Sequence, residues 1–221
     1  MSRGATARLF VAIDPPPELS RALVDWAREV VGASIVAAPR RGRRHPRVLP
    51  AESLHLTLCF LGSRPVGEIP ALGAAIEACA EELGELSIGA PLWLPPRRPK
   101  ALAVEVHERT GALGRLQQSL VRELSSASGW EPERRRFRAH ITLARLKDGI
   151  PARAARLARS AGAGRPERPT GAPGGGEEEA ALAPTPQLSF TPRAVLLYRS
   201  LLEPEGAVYE ALASSELGGR G

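Results

Sequence analysis

The chain has 221 residues, enough for a single domain with its own hydrophobic core, and 43% of them are hydrophobic. Its formal charge of +6 favours polyanionic partners such as RNA, although arginine-rich chains without a nucleic-acid role are also common. There is no run of about 18 apolar residues, no apolar signal segment and no disulfide framework, so we expect a cytoplasmic protein without a membrane span.

The first half of the chain predicts two strand–helix pairs separated by a basic loop. Alternating apolar residues indicate the strands, and apolar residues three or four positions apart indicate the helices. In order, these are a strand at 7–13, a helix from Pro15 to about residue 31, the loop at 38–47, a strand at 53–61 stopped by Gly62, and a helix from Pro70 to about Leu83.

The second half repeats the order with additional strands and an insertion. Residues 162–186 are rich in glycine, proline and alanine, and cannot bury enough apolar surface to offset the entropy of ordering, so they predict a disordered insertion in a single domain over 1–221. The other elements are strands at 86–94 and 100–106, a helix from Gly111 to about Ala127, a strand at 136–145, a short helix at 152–160 and a closing strand at 187–202.

Two of these strands carry the same unusual pattern, His55-Leu56-Thr57 and His140-Ile141-Thr142. With four histidines and seven threonines in the chain, chance predicts only about 0.13 His-x-Thr pairs. Because side chains alternate along a strand, each histidine shares one face with its threonine, and the aliphatic residues take the other face. The repeated element order thus predicts two lobes that each present an imidazole and a hydroxyl to a cleft.

Two imidazoles that face one cleft suit proton transfer at phosphorus, since one can act as base on the nucleophile and the other as acid on the leaving oxygen. The hydroxyls of Thr57 and Thr142 can donate hydrogen bonds to phosphate oxygens as charge accumulates there. Arg145, at the strand end, can bind phosphate bidentately or instead pair with a carboxylate. The scheme needs no metal and no cofactor, and no cysteine or carboxylate stands at ligand spacing from either histidine.

Arginines cluster upstream of both motifs. Arg44 belongs to the first cluster, and Arg136 and Arg138 share the face of His140 if the strand already runs there. These three arginines are therefore candidate RNA contacts. Cys59 would face the cleft in a regular strand, although a small packing residue is the simpler interpretation.

The two motifs with their flanks resemble the 2H phosphoesterase superfamily, and most closely its bacterial RNA 2′,3′-cyclic phosphodiesterase branch, which is 2′-5′ RNA ligase-like. The resemblance covers residues 8–13, 54–62 (LHLTLCFLG), 137–145 (FRAHITLAR) and 195–209. The sequence departs from the family at 47–52, where an aromatic residue is usual, and at Ala139, where proline is usual.

The resemblance implies a bilobal α+β fold with two antiparallel sheets, a central cleft and helices on the outside. It implies hydrolysis of RNA 2′,3′-cyclic phosphate ends to 2′-phosphates, with 2′-5′ RNA ligation as the reverse reaction. In this scheme His55 is the proton donor, His140 is the proton acceptor, and the phosphate lies against Thr57, Thr142 and Arg145. We expect a monomer.

Two other functions stay open at this point. One is a phosphodiesterase that acts on small cyclic nucleotides, and the other is a module that binds RNA or nucleotides without turnover. The basic clusters favour RNA over small nucleotides, and the paired histidines favour catalysis over binding alone, because a binding module needs no proton-transfer groups.

Overall fold

The structure is a computed structural model that describes residues 5–36, 46–79, 82–95, 99–146, 184–203 and 206–217. The short helix expected at 152–160, most of the insertion expected at 162–186, and Arg44 lie outside the described residues. In the described part of the chain, no helix combines the length and the apolar character that crossing a membrane requires.

Nine strands, three α-helices and two short 3₁₀ helices, Ala51–Ser53 and Val66–Glu68, make up the regular structure of the described residues. In chain order the strands and α-helices are β1 (Thr6–Ile13), α1 (Pro17–Val36), β2 (Arg47–Val48), β3 (Leu56–Pro65), α2 (Ile69–Glu77), β4 (Leu86–Leu94), β5 (Ala101–His107), α3 (Ala112–Ser128), β6 (His140–Arg145), β7 (Ser189–Phe190), β8 (Ala194–Glu203) and β9 (Gly206–Glu216).

The nine strands form one antiparallel sheet in the order β7-β4-β5-β6-β3-β1-β8-β9, with β2 paired to β6 beside the main path. Each half of the sheet contains one of the two motif strands, β3 or β6. The halves meet where Leu56 pairs with Ile141. The α+β class is confirmed, and the two antiparallel sheets expected from the sequence are joined at this pair into a continuous sheet.

The helices bury their apolar sides against the sheet face that carries the aliphatic residues of the motif strands. The helix expected from Gly111 to about Ala127 is confirmed as α3, and its regularly spaced leucines are all buried: Leu113, Leu116, Leu120 and Leu124. Burial of each such side chain stabilises the fold by about 1.5–3 kcal/mol relative to leaving it exposed. The opposite face of the sheet is left for the polar motif side chains.

Several predicted boundaries were wrong. Gly62 does not stop the first motif strand: with φ at 72° it sits at a register shift within β3, which continues to Pro65. Glycine adopts this left-handed conformation without a steric penalty, so the strand bulges instead of ending. The second motif strand begins at His140 rather than at residue 136, and the sequence analysis did not predict β9.

Candidate active site

The pairing of Leu56 with Ile141 brings the two motifs together. Both residues are fully buried, and each stands between the histidine and the threonine of its own motif. Continuing the antiparallel register by one residue in each direction places His55 opposite Thr142 and Thr57 opposite His140. The four polar residues are partly buried and lie on the face away from the helices.

Both histidine rings are anchored in the same way, each to a carbonyl two residues earlier in the chain. Nδ1 of His55 lies 2.9 Å from the carbonyl oxygen of Ser53, and Nδ1 of His140 lies 2.7 Å from that of Arg138. A carbonyl oxygen can only accept a hydrogen bond, so in each ring Nδ1 carries a proton and donates the hydrogen bond. In the neutral ring Nε2 then keeps its lone pair, and both Nε2 atoms are available for proton transfer.

His55 lies in an aromatic and electropositive environment. Its ring centroid is 4.8 Å from that of Phe10 and 5.0 Å from that of Tyr209, which meets it edge-on. The pKa of His55 is lowered from 6.5 to about 4, and burial is the largest cause. The hydrogen bond to Ser53 opposes this shift, whereas the positive charges of Arg145 and of protonated His140 add to it. His55 is therefore neutral at pH 7 unless an anion offsets these charges.

A β-bulge in each motif strand brings one more residue to the motif face. The register of β3 against β1 skips Leu58, and the register of β6 against β5 skips Leu143. An extra residue reverses the alternation of the strand, so the residue three positions past each motif threonine returns to the threonine's face. These residues are Phe60 and Arg145, and both line the pocket. Cys59 is buried, as its interpretation as a packing residue predicted.

The motif face borders a pocket of about 610 Å³, a size typical of small-molecule and cofactor sites. None of the described residues that line it is acidic. Its principal side chains are those of Arg8, Phe10, Arg47, His55, Thr57, Phe60, Lys100, Arg145 and Tyr209.

The pocket also contains four side chains that were not predicted from the sequence: Arg8, Phe60, Lys100 and Tyr209. For Phe60 a signal was present, because it follows Thr57 at the same spacing at which Arg145 follows Thr142. For the other three residues no local pattern existed, since distant strands bring them to the pocket.

The two arginines expected beside His140 as RNA contacts, Arg136 and Arg138, lie outside the pocket. Because β6 begins at His140, the strand alternation that put Arg136 and Arg138 on the histidine face does not apply. Both are exposed, and neither lines the pocket. The guanidinium of Arg138 forms an ion pair with Glu105, which is the register partner of His140 in β5. Arg138 thus connects the two residues: its side chain binds Glu105, and its backbone carbonyl accepts the hydrogen bond from His140.

The described residues include no group of three or more histidine, cysteine, aspartate or glutamate side chains that could hold a metal ion. The functional groups of the pocket are instead the imidazole of His55, hydroxyls, aromatic rings and four cationic side chains. His140 and Thr142 do not line the pocket itself, and the antiparallel register places them beside Thr57 and His55 on the motif face. These groups suit an anionic ligand with an aromatic part, and the paired imidazoles suit acid–base chemistry on that ligand.

A mixed α+β fold with two His-x-Thr strands on one face of an antiparallel sheet defines the class of two-histidine (2H) phosphoesterases. The family model of the 2′-5′ RNA ligase superfamily matches residues 15–170, and the chain belongs to this superfamily.

Two relatives are both named RNA 2′,3′-cyclic phosphodiesterase. The first relative, from Aeropyrum pernix, is 33% identical to the chain over 99 residues. This alignment covers 43% of the chain and 54% of the relative. The second relative, from Thermus thermophilus, is 29% identical to the chain over 153 residues. This alignment covers 65% of the chain and 71% of the relative. The first alignment therefore spans only about half the length of the relative.

Solved structures agree with the fold. A crystal structure of a protein from Thermus thermophilus has a TM-score of 0.65 at 27% identity, covering 97% of this chain and 100% of that one. E. coli LigT complexed with 3′-AMP has a TM-score of 0.65 at 23% identity, with the same coverage. These two structures thus share the overall architecture of the chain over nearly its whole length.

Proposed function

We propose that the chain hydrolyses RNA ends that carry a 2′,3′-cyclic phosphate, giving a 2′-phosphate without a metal ion. The observation that carries this proposal is the matched anchoring of His55 and His140, whose Nδ1 atoms both donate to backbone carbonyls. Both Nε2 atoms are thereby left for proton transfer on one face of the sheet. The names of the two relatives support a cyclic phosphodiester as the substrate.

In the proposed reaction a water molecule attacks phosphorus in line with the 3′ oxygen. His140 accepts a proton from the water as the new P–O bond forms, and His55 donates a proton to the 3′ oxygen as its bond to phosphorus breaks. The hydroxyls of Thr57 and Thr142 and the guanidinium of Arg145 stabilise the charge on the non-bridging oxygens. If a 5′-hydroxyl attacked in place of water, the same steps would form a 2′-5′ linkage and release the 3′-hydroxyl.

The low pKa of His55 makes its protonation dependent on substrate. Without an anion nearby, burial and the positive charge of Arg145 keep the ring neutral. A bound phosphate carries a negative charge that opposes this positive charge and favours the imidazolium. His55 therefore becomes a proton donor in the complex, at the stage at which a donor is needed.

The rest of the pocket supports a nucleotide ligand. Phe60 is 38% exposed, and the guanidinium carbon of Arg8 lies 4.9 Å from the centroid of its ring. An exposed aromatic face beside a cation can stack with a base, and stacking of this kind contributes about 1–3 kcal/mol per base. Phe60 supplies an aromatic surface although the aromatic residue usual in the family at 47–52 is absent.

The test is hydrolysis of a short RNA with a 2′,3′-cyclic phosphate end in the presence of EDTA, with the position of the product phosphate mapped. We expect a 2′-phosphate product and undiminished activity in EDTA. His55→Ala and His140→Ala should each lower kcat at least about a hundredfold, whereas Gln118→Ala, on the exposed side of α3 and outside the pocket, should change it less than about twofold. Near-normal activity in either motif variant, or loss in EDTA with rescue by a divalent ion, would contradict the proposal.

A further inference from the structure

Three cationic side chains enter the pocket from neighbouring backbone segments. Arg47 of β2 is the register partner of Arg145 of β6, and Arg145 is paired on its other side with Ala101 of β5. Lys100 precedes Ala101, and its carbonyl accepts a hydrogen bond from the backbone of Leu146 at 2.8 Å. The side chains of all three cations line the pocket. Like charges opposite each other in a sheet are destabilising, so this arrangement costs stability.

No carboxylate compensates this charge within the described residues. Other arginines of the chain form ion pairs there, as Arg64 does with Glu68 and Arg138 with Glu105. Arg47, Lys100 and Arg145 form no such pair in the described part of the chain, and no acidic residue among those described lines the pocket. A cyclic phosphodiester carries a single negative charge, so its binding beside Arg145 leaves two positive charges without a counterion.

The Arg47 side chain reaches across the pocket. It starts from β2, next to β6, and its guanidinium lies over the backbone of Gly206 at the start of β9, in the other half of the sheet. A Cβ atom at position 206 would lie only 2.5 Å from both terminal nitrogens of Arg47. Only glycine leaves room for the guanidinium in this position. No described carboxylate forms an ion pair with the guanidinium there.

We propose that Arg47 and Lys100 form a second phosphate-binding site that takes the internucleotide phosphate next to the terminal cyclic phosphate. This inference rests on the proposed function and specifies its substrate as an RNA end of at least two nucleotides. The terminal cyclic phosphate lies at the motif residues and Arg145, and the next phosphate of the backbone lies between Arg47 and Lys100. A nucleoside 2′,3′-cyclic phosphate has no group for this second site.

The experiment compares kcat/KM for three substrates. These are adenosine 2′,3′-cyclic phosphate, the dinucleotide ApA with a 2′,3′-cyclic phosphate end, and the same dinucleotide with an uncharged methylphosphonate linkage. The original protein should prefer the charged dinucleotide over the uncharged one by at least about tenfold, and the uncharged dinucleotide controls for the second nucleoside. The double variant Arg47→Gln, Lys100→Gln should reduce this preference to about twofold or less.

Arg21→Gln is the matched control, because it removes a positive charge from the exposed side of α1, outside the pocket. It should retain the full preference for the charged linkage. The inference is overturned if the original protein hydrolyses both dinucleotides equally well, or if the double variant keeps the preference.

A second variant displaces Arg47 without changing any charge. Gly206→Ala should lower the preference for the charged linkage at least about threefold, because the added Cβ pushes the guanidinium away. Gly62→Ala is its control, since Gly62 also has a positive φ but no atom within 4 Å of a Cβ placed there. Thermal unfolding shows whether both variants fold. If Gly206→Ala does not fold, the double variant Arg47→Gln, Lys100→Gln decides alone whether the second phosphate site exists.

Binding measurements separate failure of this inference from failure of the proposed function. Calorimetry measures the dissociation constant of ApA that bears a 2′-phosphate, once with the charged phosphate linkage and once with the methylphosphonate linkage. This measurement requires no turnover. If none of the cyclic phosphates is hydrolysed, the proposed function fails, and the ratio of the two dissociation constants still decides whether a second phosphate site exists. If all are hydrolysed at equal rates and the dissociation constants are also equal, the second site fails and the proposed function stands.

Discussion

Leu56 of β3 pairs with Ile141 of β6, and this pair joins the two halves of the sheet. Both side chains are fully buried, and each stands at the centre of a His-x-Thr motif. The pairing fixes which face each motif presents, because a shift by one residue would turn a histidine and a threonine into the core. The geometry of the site therefore depends on packing beneath it.

Truncation of this junction should cost both stability and activity. Ile141→Ala should lower the free energy of unfolding by about 2–5 kcal/mol and also reduce kcat, because the motif strands lose their common support. Ile76→Ala in α2, equally buried but distant from the junction, should cost similar stability with little change in kcat. Urea unfolding and steady-state kinetics measure the two effects, and equal kcat values for the two variants would show that the junction does not position the motifs.

The pKa of His55 predicts how stability depends on pH. In the unfolded chain the ring binds a proton near pH 6.5, whereas the folded protein holds it neutral down to about pH 4. The unfolded state thus binds more protons between these values, so the free energy of unfolding should fall as pH is lowered from about 6.5 towards 4, by up to about 3 kcal/mol. His55→Gln should flatten this dependence when chemical unfolding is measured at each pH, and an unchanged slope would assign it to other groups.

The proposed roles of the histidines can be distinguished with a leaving group that needs no proton. On a phosphodiester with a p-nitrophenolate leaving group, His55→Ala should lose much less activity than on an RNA cyclic phosphate, because proton donation to the leaving oxygen is no longer required. His140→Ala should remain strongly impaired on both substrates, since the attacking water still needs a base. The opposite pattern would exchange the two roles.

The threonine hydroxyls should contribute to kcat as hydrogen-bond donors to the phosphate. Thr57→Val and Thr142→Val keep the branched shape that suits a strand and remove only the hydroxyl. Each should lower kcat on the order of ten- to a thousandfold. Activity within about twofold of the original for either variant would mean that its hydroxyl does not contact the reacting phosphate.

Glu105 is expected to position His140 through Arg138. Glu105→Gln removes the charge that holds the guanidinium of Arg138, whose carbonyl accepts the hydrogen bond from His140. We expect kcat to fall about three- to tenfold with little change in KM, and Glu105→Asp to restore part of the loss. Glu210→Gln, which removes the partner of Arg199 at 3.9 Å in the other half of the sheet, is the control. Equal kinetics for the two glutamine variants would remove Glu105 from this role.

The sequence by itself determined the features that depend on local periodicity. The alternation around His55 and His140 was sufficient to assign a buried face and a polar face to each motif strand, and the leucine spacing in α3 was sufficient to predict a helix with one apolar side. Such patterns reflect the geometry of a single element, and short-range spacing records them directly.

Only the tertiary structure decided how these elements complete the pocket. The bulges that return Phe60 and Arg145 to the motif face arise from register against β1 and β5. The presence of Arg47 and Lys100 in one pocket, and the position of the Arg47 guanidinium against Gly206, likewise depend on strands distant in sequence. Strand register is set by the pairing partner and by packing across the whole sheet, so these positions cannot be read from the spacing within any one segment.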